Sequence, residues 1–320
     1  MARGEELQLK VLVVGSGPAG RRHVRNALEL GHPVALARRV GQPTDALAAE
    51  LGVPVFSGLE DAAGWSADAV IVANPPAEHL GTARWAVERG CSVLIEKPLA
   101  PTPDGVLELV EAADARELVV AVGYNLRFHP ALAAIEEAIA SGRLGRLLAV
   151  RAEVGSYLPD WHPDLDYRVG SAARRDLGGG ALLTLSHELD YVLWIAGDVV
   201  ESVGFAAHVS ELELDAEDVA ELVLRHASGA ISSVHVDLVD RVHHRACRWV
   251  GSRGTIEWTG GPVTLAVDGR RETLWADAGY DLVWTYVAEL ETFLAGRPFP
   301  GDAGSDALRV VEIVAGLSRP

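Results

Sequence analysis

Residues 10–23 read KVLVVGSGPAGRRH, and this stretch decides the fold. An apolar run, KVLVVG, leads directly into Gly15-Ser16-Gly17-Pro18-Ala19-Gly20, and a helical segment follows. In this G-x-G-x-x-G spacing the first glycine permits a tight turn, the second lets the backbone approach a pyrophosphate, and the third allows the helix to pack closely on the strand. The stretch therefore predicts a dinucleotide-binding βαβ unit whose helix amides act as phosphate donors.

The same alternation continues to about residue 123. The runs PVALA, AVIVA, SVLIE and LVVAVG are apolar throughout, as in strands covered on both faces, and helical segments separate them. In EHLGTARWAVERG, Leu80, Ala83 and Val87 recur with helical spacing, and Gly90 is placed to end that helix. This part of the chain is predicted to be a doubly wound parallel α/β sheet.

The pattern changes after about residue 145. Runs such as LLAVRAEVG, AELVLRH, AISSVHVDLV and TIEWTG follow one another with turn-like breaks, which favours a largely antiparallel sheet with one buried and one polar face. Two long helices are expected at about 180–196 and 282–295. We predict a Rossmann domain at 1–125 and an α+β domain for substrate binding and oligomerisation at 126–320.

Composition argues against several classes of protein. The 320 residues carry a net charge of -17, with 28 basic residues scattered among 45 acidic ones, which does not suit a nucleic-acid surface. No apolar stretch approaches the roughly 18 residues of a membrane helix, and Met1 to Gln8 show no signal or transit peptide. Cys91 and Cys247 form neither a disulfide framework nor a metal cluster. We expect a soluble, cytoplasmic protein that binds no metal.

The end of the second predicted strand indicates which dinucleotide binds. NAD-binding versions place an Asp or Glu there for the ribose 2′-hydroxyl, whereas PVALA ends in Arg38-Arg39 with no acid nearby. A guanidinium suits a 2′-phosphate and leaves NAD without its usual acceptor. We predict NADP(H) rather than NAD(H); the alternative is two solvated arginines at a strand end.

Five motifs give a more specific indication: GSGPAGRRH at 15–23, VANPPAEH at 72–79, EKPLA at 96–100, GYNLRFHP at 123–130 and GGGALLTLSHELDY at 178–191. Through them nearly the whole chain resembles the glucose-fructose oxidoreductase and inositol dehydrogenase family, called Gfo/Idh/MocA. The resemblance implies a Rossmann domain that carries the dinucleotide and a C-terminal domain whose sheet often pairs across its open face. A homodimer or homotetramer through this sheet is therefore expected.

The resemblance also implies roles for single residues. Cofactor contacts are expected from Asn74, Pro75, His79, Glu96, Lys97 and Asn125. Lys97 should point at the reacting carbon, and Lys97-Pro98 is a suitable place for a cis peptide. Independently of the family, Lys97 follows the apolar run SVLIE at the carboxyl end of a parallel sheet, where ligands bind. Desolvation and a neighbouring oxidised nicotinamide would lower the pKa of its amine, which suits proton exchange.

One predicted helix departs from the family's pattern. Along GGGALLTLSHELDYVLWIAG, Thr184, His187, Glu188 and Tyr191 share a face opposite an apolar one. His187 is predicted to act as general acid or base, because imidazole titrates near neutral pH. The family motif has an Asp where Thr184 stands, so a carboxylate is missing unless Glu188 compensates. The triple glycine predicts close approach by another group.

The preceding segment, WHPDLDYRVGSAARRDLGGG at 161–180, resembles the substrate loop of the branch of this family that reads DLSHELDY where this chain has TLSHELDY. Aromatic rings there would face the apolar side of a sugar, and arginines would bind a carboxylate or phosphate. A plain surface role is the alternative for each of these residues. The candidates for substrate contact are Tyr157, Trp161, Tyr167, Arg168, Arg174, Arg175, Thr184 and His187.

Together these features predict an NADP(H)-dependent oxidoreductase that transfers hydride to or from a hydroxyl or carbonyl carbon of a sugar, nucleotide sugar or cyclitol, as a ketosugar reductase. Lys97 and His187 would share proton transfer. Reduction of a C=N bond is a near variant. A glycosidase or lyase using transient oxidation would hold NAD, against which Arg38-Arg39 weighs. A non-catalytic NADP-binding regulator is favoured by Thr184, whereas Lys97 and His187 weigh against it.

Overall fold

The computed structural model describes residues 8–277 and 279–317. The chain divides into two compact units, of which the first comprises 1–123 and 286–299 and the second comprises 124–285 and 300–320. Residues 286–299 therefore belong to the first unit although they follow most of the second unit in sequence. The predicted domain division at 125/126 stays a prediction.

The first unit is built on a six-stranded parallel sheet, which confirms the predicted doubly wound class. Its strands are β1 (Val11–Val14), β2 (Val34–Arg38), β3 (Val55–Ser57), β4 (Ala69–Val72), β5 (Ser92–Glu96) and β6 (Val120–Gly123), in the order β3-β2-β1-β4-β5-β6. Its helices are α1 (Pro18–Glu29), α2 (Asp45–Leu51), α3 (Leu59–Ala62), α4 (His79–Glu88) and α5 (Val106–Asp114). Every residue of β1 and β4 is buried, as their uninterrupted apolar composition requires.

The second unit contains an eight-stranded mixed sheet. Its strands are β7 (Leu147–Gly155), β8 (Val199–Ala207), β9 (Val219–His226), β10 (Ile231–Asp237), β11 (His244–Gly251), β12 (Gly254–Trp258), β13 (Val263–Val267) and β14 (Arg270–Trp275), in the order β14-β13-β12-β11-β7-β10-β9-β8. Only β7 and β10 pair in parallel, so the sheet is largely antiparallel, as predicted. Its helices are α6 (Pro130–Ala140), α7 (Ala181–Thr184), α8 (His187–Ala196) and α10 (Ala303–Gly316). The last helix, α9 (Val283–Leu294), lies mostly in the segment 286–299 of the first unit.

The single helix predicted at about 180–196 is wrong, because the segment forms two helices. α7 ends at Thr184, Leu185 leaves helical geometry with φ −108° and ψ 32°, and α8 begins at His187. Of the four residues predicted to share a polar face, Glu188 and Tyr191 are fully buried. Thr184 and His187 are half-buried.

One face of the second sheet carries exposed apolar side chains. Helices α7 and α8 pack against β7, β9 and β10. On the other face Val203 lies opposite Val223 in the register of β8 and β9, and both are exposed. Phe205, two residues further along β8, is 84% exposed. This face is therefore less polar than the sequence alternation predicted.

Within the described ranges, none of the helices is both long enough and apolar enough to cross a membrane.

Candidate active site

The glycine loop between β1 and α1 forms a cradle that requires glycine at Gly15 and Gly20. Gly15 has φ +120°, and a Cβ there would overlap the carbonyl of Ala73. A Cβ at Gly20 would overlap the carbonyl of Gly15, whereas a Cβ at Gly17 would meet nothing within 4 Å. Gly17 is the N-cap of α1 and no described side chain caps the helix, so the first amides are available to an anion. The cradle, with Ser16, Pro18 and Ala19 completing it, fits a dinucleotide pyrophosphate.

Asn74 and His79 lie beside this cradle, at the carboxyl end of β4. The Asn74 amide donates to the Thr82 hydroxyl at 2.8 Å, while its buried Oδ1 has no hydrogen-bond partner among the described residues. The His79 ring bridges the carbonyls of Asn74 and Pro98, at 2.9 Å each. Burial lowers the pKa of His79, against the opposing effect of these carbonyls. Pro75 continues the Asn74 loop, and the orphaned oxygen of Asn74 fits a ligand that donates a hydrogen bond.

Lys97 follows the last residue of β5 and is half-buried. The Lys97-Pro98 peptide is cis, as the sequence predicted. Of the 28 basic residues of the chain, only Lys10 and Lys97 are lysines. Arginine cannot give up its proton in a protein, whereas a lysine amine can. A chain that uses arginine almost everywhere thus keeps a titratable amine at the carboxyl edge of its parallel sheet.

Glu96, the residue before Lys97, is held in the ionised form. Its Oε1 accepts a hydrogen bond of 2.8 Å from the buried Nε2 of His23. Burial alone would raise the pKa of Glu96, but His23, Arg22 and Lys97 together hold it well below its usual range. The carboxylate therefore carries a full negative charge next to Lys97.

The two arginines predicted to select NADP(H) lie at the end of β2, where Arg38 is half-buried and Arg39 is exposed. Arg38 donates to the Gln42 side chain at 2.9 Å and to the Pro43 carbonyl, and Arg39 pairs with Glu78 at 3.3 Å. The adjacent Gly15 amide donates to Ala37 at 2.9 Å, which ties the strand end to the glycine cradle. Both guanidinium groups thus lie on the strand that borders the cradle.

In the second unit, Tyr124 supports the start of α8. Its ring meets the His187 ring edge-on, with centroids 5.6 Å apart, and its hydroxyl donates to the Ser186 hydroxyl at 3.2 Å. Burial raises the pKa of Tyr124, so the phenol stays neutral. Tyr124 lies in the GYNLRFHP motif but was not predicted as a site residue. Its neighbour Asn125 is buried and donates to Thr285 at 2.6 Å.

The glycines before α7 are explained by close contacts, as the sequence predicted. A Cβ at Gly179 would overlap backbone carbonyls of residues 171–174, and one at Gly180 would overlap the Glu217 carboxylate. Both Glu217 oxygens are buried and have no hydrogen-bond partner among the described residues. Glu188, in contrast, accepts from Arg245 at 2.7 Å. Glu188, the carboxylate expected to replace the Asp that is missing at position 184, therefore binds Arg245 of β11.

A buried ion cluster, which sequence reasoning missed, anchors α8. The Arg127 guanidinium contacts Asp190 of α8 at 2.6 Å and Asp306 of α10 at 2.8 Å. It also donates to the Pro300 carbonyl at 2.8 Å. The Arg127 and Asp190 side chains are 0% and 1% exposed, so each neutralises the other out of contact with water. An arginine and an aspartate 63 positions apart give no sequence signal of this pairing.

Each of the predicted substrate arginines binds an aspartate. Arg168 binds Asp166 at 2.8 Å and Arg174 binds Asp176 at 2.5 Å, both on the exposed surface. The Arg175 amide and guanidinium bind Asp215. Each of the three guanidinium groups thus has an aspartate acceptor of its own.

The aromatic candidates for substrate contact differ in the groups that they already bind. Trp161 donates to Ser156 at 2.8 Å, and the Tyr167 hydroxyl accepts from the Glu213 amide at 3.0 Å. The Tyr157 ring is covered by the Arg241 guanidinium at 3.7 Å. Arg241 follows β10 and was missed, because nothing in DLVDRVHHR distinguishes it from a solvated loop residue. The Tyr157–Arg241 pair combines an aromatic face with a cation.

No group of three or more His, Cys, Asp or Glu side chains in residues 8–277 and 279–317 could hold a metal ion.

Comparison with known proteins agrees with this geometry. A family model described as an oxidoreductase family with an NAD-binding Rossmann fold matches residues 9–124, and the GFO/IDH/MocA C-terminal domain model matches residues 132–257. The chain is 31% identical over 266 residues to inositol 2-dehydrogenase 1 of Saccharopolyspora erythraea, covering 78% of this chain and 74% of that one. It is 27% identical over 310 residues to 1,5-anhydro-D-fructose reductase of Ensifer adhaerens, covering 92% and 91%.

Among solved structures, the WlbA dehydrogenase from Bordetella pertussis, in complex with NADH and UDP-GlcNAcA, matches with a TM-score of 0.79 and 23% identity, over 97% of this chain and 95% of that one. The parallel sheet and its glycine cradle define a nicotinamide-dinucleotide-binding protein of the Rossmann class. More narrowly, the chain belongs to the Gfo/Idh/MocA family of oxidoreductases.

Proposed function

We propose that this oxidoreductase uses NADP(H) and acts on a hydroxyl or carbonyl carbon of a sugar, nucleotide sugar or cyclitol, as a ketosugar reductase. The observation that carries the proposal is Lys97, a half-buried amine at the carboxyl edge of the parallel sheet in a chain with one other lysine. Relatives named inositol 2-dehydrogenase and 1,5-anhydro-D-fructose reductase support the substrate class. When bound, the nicotinamide supplies or accepts the hydride.

The residues of this chain then have separate roles. The glycine cradle holds the pyrophosphate, and Asn74, Pro75, His79, Glu96 and Asn125 line the cofactor. Lys97 gives a proton to the substrate oxygen during reduction and takes it back during oxidation, and His187 shares this transfer. Tyr157 and Arg241 present a ring and a cation to the substrate, an arrangement that suits a sugar with an anionic group.

The activity is tested with a panel of ketosugars, nucleotide sugars and cyclitols, by following the absorbance of reduced nicotinamide under anaerobic conditions. Turnover with at least one class is expected. Absence of turnover with NADP(H) bound would favour the second candidate, a non-catalytic NADP-binding regulator. The observation behind that candidate is Thr184, a hydroxyl where the family has a carboxylate; Thr184→Asp would restore turnover only if the rest of the site is competent.

The cofactor preference gives a separate prediction. Arg38→Ser with Arg39→Ser is expected to weaken NADP binding by about 10–100-fold, because an ion-paired hydrogen bond contributes about 1.5–3 kcal/mol, while NAD binding stays nearly constant. Cofactor fluorescence titration measures both affinities. Arg116→Ser, an exposed arginine beyond α5, is the matched control. Tighter binding of NAD than of NADP by the unaltered chain would refute the preference.

We further propose that the chain forms a homodimer or homotetramer through the exposed face of the second sheet, on the support of Val203, Phe205 and Val223. Phe205→Glu with Val223→Glu is expected to give a particle of 34.0 kDa, one chain, in light scattering. Leu107→Glu, on exposed α5 surface, should leave the assembly of the unaltered chain in place. An unchanged assembly in the double variant would show that this face of the sheet is not the interface.

A cytoplasmic location is proposed as well, on the support that Cys91 and Cys247 are buried free thiols.

A further inference from the structure

Two consecutive residues of α1 hold one oxygen of Glu96. The Arg22 guanidinium donates to Glu96 Oε1 at 2.8 Å, and His23 Nε2 donates to the same oxygen at 2.8 Å. The Arg22 guanidinium also lies over the Tyr286 ring, 3.7 Å from its centroid. The guanidinium group of a surface arginine is free to move, whereas this stack restrains that of Arg22. The Glu96 carboxylate is therefore held close to α1.

This carboxylate also affects Lys97. Glu96 and Lys97 are neighbours in the chain, and the Lys97 charge is among those that favour the ionised form of Glu96 by lowering its pKa. The effect is mutual, because opposite charges stabilise each other's ionised forms. His79 on α4 is a further titratable group that interacts with Glu96. Arg22, His23 and Lys97 therefore share the negative charge of one carboxylate.

We propose that Arg22 is a positioning residue for the Lys97 amine: with His23 it binds the Glu96 carboxylate against α1 and so limits the negative charge that Lys97 meets. This role deepens the proposed function and rests on it for its meaning in catalysis. Without Arg22, Glu96 would be left to His23 and Lys97, and the lysine would hold its proton more tightly. With Arg22, the amine can exchange a proton closer to neutral pH.

The lysine content of the chain makes this measurable without substrate. Full-length protein labelled with ¹³C and ¹⁵N only in lysine has two lysine side chains, Lys10 and Lys97, and Lys10→Arg assigns their NMR signals. Titration with pH then gives a midpoint for each amine. Arg22→Met, which keeps an apolar chain against Tyr286, is expected to raise the Lys97 midpoint by about one pH unit and to leave Lys10 unchanged.

Two further variants decide whether Arg22 acts through Glu96. Glu96→Gln should lower the Lys97 midpoint, and Arg22→Met should then have little further effect in the Glu96→Gln background. Arg25→Met, an exposed arginine on the same helix, removes the same charge and should move neither lysine. If Arg22→Met does not fold, Arg22→Gln, which keeps a hydrogen-bond donor but no charge, is expected to raise the Lys97 midpoint in the same direction.

An unchanged Lys97 midpoint in Arg22→Met or Arg22→Gln would overturn the assignment. An equal shift in the Glu96→Gln background would also overturn it, because Arg22 would then act without the carboxylate. The Lys97 midpoints are measured without turnover. If they shift as expected but the chain turns over no substrate, only the proposed function is contradicted, and the role of Arg22 stands.

Discussion

Replacing Lys97 by arginine is expected to lower turnover by about 10²–10⁴-fold, the usual contribution of a positioned acid–base group. Arginine keeps the positive charge but cannot exchange its proton at accessible pH. Cofactor affinity should change only a few-fold, because the proposed function assigns the pyrophosphate to the glycine cradle and not to Lys97. Steady-state rates on the best substrate, with nicotinamide binding measured in parallel, separate these effects.

The control for this variant comes from the chain itself. Lys10 lies before β1, where its ammonium contacts the Trp65 ring at 4.4 Å, and Lys10→Arg should leave turnover unaltered. Retention of turnover within about threefold in Lys97→Arg, well short of a general acid–base effect, would contradict the assigned role.

Replacing Arg127 by methionine is expected to lower the free energy of unfolding by about 3–5 kcal/mol, the effect of removing one partner of a buried ion pair. The variant leaves Asp190, which is 1% exposed, without its guanidinium partner. Methionine fills much of the volume that the arginine stem occupied. The loss should appear in urea denaturation as a lower midpoint with a nearly unchanged slope.

Arg253→Met gives the matched surface comparison. Arg253 pairs with Asp268 at 3.0 Å, but both side chains are more than half exposed, so the expected loss is within about 1 kcal/mol. Adding Asp190→Asn to Arg127→Met should recover part of the stability by removing the buried charge. An Arg127→Met chain as stable as Arg253→Met would show that the cluster does not hold α8.

The first sheet could be predicted from sequence because its information is local. The runs that form β1, β2, β4, β5 and β6 have uninterrupted apolar centres, and burial on both faces requires that composition. β3 was not predicted, because its three residues at the sheet edge are only half-buried. In the second unit, β8, β11, β13, β14, α6 and α10 were also missed. Several of these strands contain charged residues, as β11 does with Arg245 and Arg248.

The broken helix shows where local pattern fails. Periodicity over 180–196 fits one continuous helix, and nothing in Thr184, Leu185 or Ser186 forbids it. The break moves Glu188 into the core, where Arg245 binds it. Whether a carboxylate faces solvent, a ligand or an arginine depends on residues 57 positions away, which no local pattern contains.

By itself, the sequence determined the dinucleotide cradle, the parallel sheet around it and the position of Lys97 at its edge. Each depends on a short run in which neighbouring residues act together, since glycines make room for the ligand and apolar residues fill both faces of a strand. Only the tertiary structure decided which charges meet. Glu96 lies between His23, Arg22 and Lys97, and Arg127 lies between Asp190 and Asp306, because a buried charge is stable only beside partners that the fold brings together.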